Sequence, residues 1–137
     1  MSGATGNGDV MTFDRFQPGA VMGEETVVLD AAILDPWLKL FPADARHATH
    51  MPHGMVMTMI MRAYMAVVAP RPPGNVHAGQ RVKMHRRPRL GEAVTTRITC
   101  EGKEMRKERR WVHLASESRD ADGNILFEGR MTLIWAA

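Results

Sequence analysis

Apolar residues along this chain follow two different spacings, and each spacing predicts its own kind of element. Between residues 31 and 41, Ile33, Leu34, Trp37, Leu38 and Phe41 recur three and four positions apart, which is the spacing of one helix face. Asp30 stands in front of them as an N-cap, Pro36 restricts the stretch to short helical turns, and Pro42 stops it. Residues 53–68 have no turn residue after Gly54 and are apolar nearly all round, which predicts a buried helix. Its five methionines, Met55, Met57, Met59, Met61 and Met65, are unbranched and adaptable, suited to plain core packing under a curved sheet or to lining a channel. The Pro-Arg-Pro-Pro-Gly run at 70–74 ends it.

The other segments are β-branched or alternate with a period of two, as strands do. Residues 25–29 make a short strand ahead of the helices, and 75–85, 93–103, 110–119 and 124–135 follow them. In the third of these five, Val94, Thr96, Ile98 and Cys100 share a face. In the last, Ile125, Phe127, Met131, Leu133 and Trp135 alternate with Leu126, Glu128, Arg130 and Thr132. Pro-Arg-Leu-Gly-Glu at 88–92 and Asp-Ala-Asp-Gly-Asn at 120–124 are turns, and the charged run at 103–110 is an exposed hairpin end. One buried helix among antiparallel strands gives an α+β domain, a curved antiparallel sheet wrapped around one central helix. With 137 residues, 45% of them hydrophobic, the chain suits a single domain over 13–137 behind a flexible segment over 1–12.

These stretches carry a family likeness. Pro-Gly at 18–19, His-Gly-Met at 53–55, Arg-Pro-Arg-Leu-Gly-Glu at 87–92 and the closing run at 122–132 resemble, in order and spacing, the opening turn, central-helix start, third-strand turn and terminal hairpin of the MaoC-like dehydratases, which have the hot-dog fold. The resemblance covers most of residues 13–135 and implies a homodimer or higher oligomer with sites at the subunit interface. It also implies an acyl thioester substrate, carried by coenzyme A or an acyl carrier protein. The Asp-x-Asn-Pro-x-His pattern that supplies the acid and base in that family is absent. The segment between Asp30 and the central helix offers Asp44, His47 and His50 instead, with His53 at the helix start.

Chemistry can be read at that same point. A helix N-terminus presents free N–H groups and a partial positive charge, and the resemblance implies that Gly54 and Met55 polarise a thioester oxygen there. Gly54 is equally explained by close packing. Hydration of an enoyl thioester needs a base for water and an acid for the α-carbon, which a histidine with a neighbouring carboxylate supplies near neutral pH. His50 is expected to be the base, Asp44 its orienting partner and His53 the next in line, against the simpler reading of all three as loop residues. Histidines three apart on a loop have no fixed common face, so neither a metal nor any other cofactor is expected. A hot-dog thioesterase would need a carboxylate, often on the central helix, and residues 54–68 contain none; Arg62 there either pairs with a carboxylate elsewhere or reaches solvent. A catalytically silent acyl-binding subunit is the third possibility.

Charge adds an anionic partner. The net charge is +3, and Lys83, Arg86, Arg87, Arg89, Lys103, Arg106, Lys107, Arg109 and Arg110 crowd one part of the chain. Arg86 and Arg87 are expected to hold coenzyme A phosphates, with a solvated strand face as the alternative. Aromatic residues are only 6%, and no nucleic-acid-binding signature is present. The lone Cys100 excludes an internal disulfide and reads as a buried apolar residue. With neither a secretory signal nor a membrane-length apolar run, the expected compartment is the cytoplasm.

Overall fold

The computed structural model describes residues 9–46 and 49–137. Five strands, β1 (Val21–Val28), β2 (Val76–Met84), β3 (Ala93–Arg106), β4 (Arg109–Arg119) and β5 (Ile125–Trp135), form one antiparallel sheet in the order β1-β3-β4-β5-β2. Helix α1 (Ala31–Leu40) follows β1, and α2 (Met55–Val67) lies in the curve of the sheet. This is the hot-dog fold.

Alternation places the core as the strand patterns require. Val94, Thr96, Ile98 and Cys100 of β3 point inward, with Val112, Leu114, Ser116 and Ser118 of β4 and Phe127, Met131, Leu133 and Trp135 of β5 beside them. Trp135 packs edge-on against Phe16 with ring centroids 4.9 Å apart, and its indole N–H donates to Met11 O at 2.6 Å. Met11 N–H in turn donates to Pro70 O, so residues 11 and 12 lie against the domain; the glycine-rich start over 1–8 lies outside the described residues. Leu126 is buried on a strand position expected to face outward. The β4–β5 register shifts between Ser118 and Arg119, which leaves Leu126 as the extra residue, its carbonyl accepting from His85 and Arg86.

Both helices differ from the period reading. α1 runs unbroken through Pro36, capped by Asp30, whose carboxylate accepts from Ile33 N–H. A proline at the sixth helical position forfeits one backbone bond, and the turns either side hold. α2 is not buried all round, because a single sheet covers one side of a helix. Met55, Met59, Ile60, Ala63 and Tyr64 face the sheet, while Thr58, Arg62, Met65 and Ala66 are exposed.

The turns match their chemistry. The β3–β4 hairpin closes on Lys107 and Glu108, both at positive φ, and the β4–β5 turn is tied by the Asp120 carboxylate, which accepts from the N–H groups of Asp122 and Asn124.

Candidate active site

The start of α2 is built by three segments that the sheet brings together. Residues 49–51 run beside the β2–β3 turn. Met51 N–H donates to Pro88 O at 2.8 Å, Leu90 N–H donates to Thr49 O at 3.0 Å, and His50 and Arg89 form an isolated bridge. The same turn is fastened to the end of β1 by Leu29 N–H to Glu92 O and Gly91 N–H to Leu29 O. The histidine segment is therefore strapped in place where the chain enters α2, with Met51 and Pro52 buried and His53 and Gly54 exposed.

His50 is half-buried, and its Nδ1 is 2.8 Å from the Thr49 hydroxyl. Asp44 sits in a 3-10 turn over Pro42–Arg46 and accepts from Trp37 Nε1 at 2.8 Å. The expected pairing of Asp44 with His50 is thus not made among the described residues: each has another partner, because α1 brings the Trp37 indole to the carboxylate. His47 lies outside the described residues. His53 is exposed, and its carbonyl accepts from Val56 N–H at 3.3 Å.

Gly54 is needed for contact rather than for backbone freedom. Its φ of −63° is ordinary, yet a β-carbon there would stand 2.7 Å from Trp37 Cζ2. The N–H of Met55 donates to Pro52 O at 3.1 Å, closing a tight first turn, so an incoming oxyanion would have to compete with that carbonyl for it.

The two arginines expected to hold phosphate are engaged within the fold. Arg86 makes a two-pronged contact with Glu92 (3.1 and 2.7 Å) and reaches Asp120 at 2.8 Å, so one guanidinium joins the β2–β3 turn to the β4–β5 turn. That guanidinium holds the Glu92 carboxyl below its ordinary value; Asp120 is lowered too, first by the backbone N–H of Asn124 and also by Arg86. Arg87 donates to Met51 O at 3.3 Å and so braces the histidine segment.

The carboxylate facing α2 comes from β1, where Glu25 lies 3.8 Å from Arg62. No spacing within the helix could have signalled it. Cys100 is buried, and burial raises its thiol above the ordinary value. Two grooves of about 600 and 590 Å³ lie on the outer face of the sheet, sharing Arg81, Glu101 and Arg130, away from α2. A smaller one of about 320 Å³ separates α2 from the start of β2, between Met61, Met65 and His77. Among the described residues no helix is long and apolar enough to cross a membrane.

Sheet order and the helix within it define the class as the hot-dog fold. Solved structures make the likeness concrete. The R-hydratase PhaJ1 of Pseudomonas aeruginosa superimposes with a TM-score of 0.71 at 18% identity, over 92% of this chain and 86% of that one. A MaoC-like dehydratase from Rhodospirillum rubrum gives 0.73 at 15% identity, over 93% and 98%. The Mycobacterium tuberculosis HadBC complex, a 3R-hydroxyacyl-ACP dehydratase, gives 0.69 at 15% identity, over 85% and 96%. No family profile and no curated protein matches the chain in sequence, so the likeness is one of fold.

Proposed function

We propose that the chain is a cytoplasmic acyl-thioester hydratase or dehydratase that works with His50 as its acid–base group and the start of α2 as the cradle for the thioester oxygen. The observation that carries this reading is the placement of a half-buried histidine on a segment strapped beside an exposed glycine-led helix start, within the fold of the R-hydratases. In hydration, a water proton passes to His50 as the water oxygen bonds to the β-carbon. His50 then returns that proton to the α-carbon as the enolate, stabilised by the helix start, collapses to the thioester; His53 is the second candidate for this acid–base role. Thr49, bonded to His50 Nδ1, takes the orienting role, which leaves Nε2 to carry the proton. No cofactor is required by this chemistry.

Two copies form the working unit in this reading. Among the described residues β2 has a neighbour on one side only, Val76 and Val82 along it are 50% and 38% exposed, and Met65 of α2 is 52% exposed. A second β2 laid antiparallel would extend the sheet and cover these side chains.

A second reading, a non-catalytic acyl-binding subunit, is favoured by the lack, among the described residues, of a His–carboxylate pair at α2 and by the two-component nature of the HadBC assembly. The test is turnover of enoyl-CoA and saturated acyl-CoA thioesters by the wild type and His50→Ala. Loss of enoyl absorbance with the wild type, abolished in the variant, supports the hydratase. Binding without turnover supports the silent subunit, and free thiol release would replace both with a thioesterase.

A further inference from the structure

We infer that Trp37 is the specificity-determining wall of the thioester site and that Asp44 is its positioning residue; this rests on the reading of the α2 start as the thioester cradle. Three contacts fix the indole. Its N–H donates to Asp44 Oδ2 at 2.8 Å, it packs against Phe41 with centroids 4.5 Å apart and the rings tilted by 33°, and its Cζ2 fills the space in which Gly54 would carry a side chain. An indole held by a charge-assisted hydrogen bond at one end and by a tilted ring at the other has little freedom to swing aside. Gly54 is nonetheless exposed, and Trp37 half-buried, so the ring lines the helix start instead of sealing it.

That placement limits the acyl group. A carbonyl oxygen brought to the first turn of α2 puts its α-carbon next to the same glycine, and on one side the indole edge already occupies the space. An unbranched acyl chain can lie past the ring; a methyl branch on the α-carbon would meet it. The preferred substrates are therefore thioesters unbranched next to the carbonyl. A single extra methyl in a fixed pocket commonly discriminates by about 10- to 200-fold.

The test compares crotonyl-CoA with 2-methylcrotonyl-CoA, by calorimetric binding and by hydration, in wild type, Trp37→Ala, Trp37→Phe and Asp44→Ala, with each fold checked by circular dichroism. The wild type is expected to favour crotonyl-CoA by at least about 10-fold. Trp37→Ala should lose that preference, Trp37→Phe should keep most of it because a ring remains, and Asp44→Ala should fall between them because the indole is released but present. Should Trp37→Ala fail to fold, Trp37→Leu takes its place. An unchanged ratio in a folded Trp37→Ala or Trp37→Leu overturns the wall while leaving the thioester reading intact. No binding of either thioester by the wild type or any variant overturns the thioester reading and the wall with it.

Discussion

Trp37 and Gly54, seventeen positions apart in the chain, are locked in contact: the indole edge lies 2.7 Å from the point at which a β-carbon on the glycine would stand. Both atoms belong to well-braced segments, the ring by its bond to Asp44 and the glycine by the helix it begins. Gly54→Ala is therefore expected to destabilise the fold by about 1–3 kcal/mol, as overpacking does. In a Trp37→Ala background the same change should cost much less. A double-mutant cycle by urea denaturation reads the coupling directly, and additive effects would show that the ring moves away freely.

Gly129 makes a similar contact beneath α2, where an added β-carbon would meet Ser116 Oγ at 2.6 Å and Ile60 Cδ1 at 3.0 Å. Ser116 Oγ is itself buried without a hydrogen-bond partner among the described residues. Ser116→Ala removes an unsatisfied hydroxyl and is expected to be neutral or stabilising by about 1 kcal/mol or less. It should also soften the cost of Gly129→Ala. Thermal melts of the two single variants and the double decide it, and a clear loss on Ser116→Ala alone would mean that the hydroxyl has a partner.

Arg86 predicts an acid-sensitive joint. Glu92 and Asp120 both have carboxyls lowered from their ordinary values of 4.5 and 3.8. A carboxylate depressed in the folded state stabilises it above the unfolded value and loses that contribution as pH falls through the folded value. Wild-type melting temperature should thus drop as pH is taken below about 4.5, the ordinary Glu value. Arg86→Ala should lower it by a few degrees at neutral pH and flatten the part of the acid slope that the guanidinium causes. Melts from pH 7 to pH 3 check this, and an acid slope identical in the variant would dismiss the joint.

His50→Ala should leave the fold intact, since the strap is made by backbone groups of Thr49 and Met51, and should reduce enoyl-CoA hydration by about 100-fold or more if the ring is the acid–base group. His53→Ala is expected to have the smaller effect. Equal rates in wild type and His50→Ala would transfer the role elsewhere.

Cys100 should resist alkylation. Burial both shields the thiol and raises its pKa, so thiolate is scarce at neutral pH. Reaction with a thiol reagent is expected to be slow in the native protein and fast in denaturant; rapid native labelling would show that β3 opens.

What the sequence determined by itself was most of what repeats or is local, short of the passage of α1 through Pro36, the exposed side of α2 and the buried, bulged Leu126. Period-two alternation and β-branched content located the strands and the inward face of β3, although β1 starts at Val21, four residues ahead of the expected strand; Asp30 announced its own helix, and Asp120 with Gly123 announced the last hairpin, because each depends on residues a few positions apart. The order of these elements sufficed for the hot-dog architecture. The tertiary structure decided the partners. Asp44 bonds to Trp37 rather than to His50, Arg86 bonds to Glu92 and Asp120, and Arg87 to Met51 O. Arg62 meets Glu25 across the gap between helix and sheet. These contacts join segments six to thirty-seven positions apart, and side-chain hydrogen bonds form with whichever group the packed backbone brings within about 3 Å. A cluster of polar residues in the sequence narrows the choice of groups, while the packing of α1, the histidine segment and α2 selects the pairs.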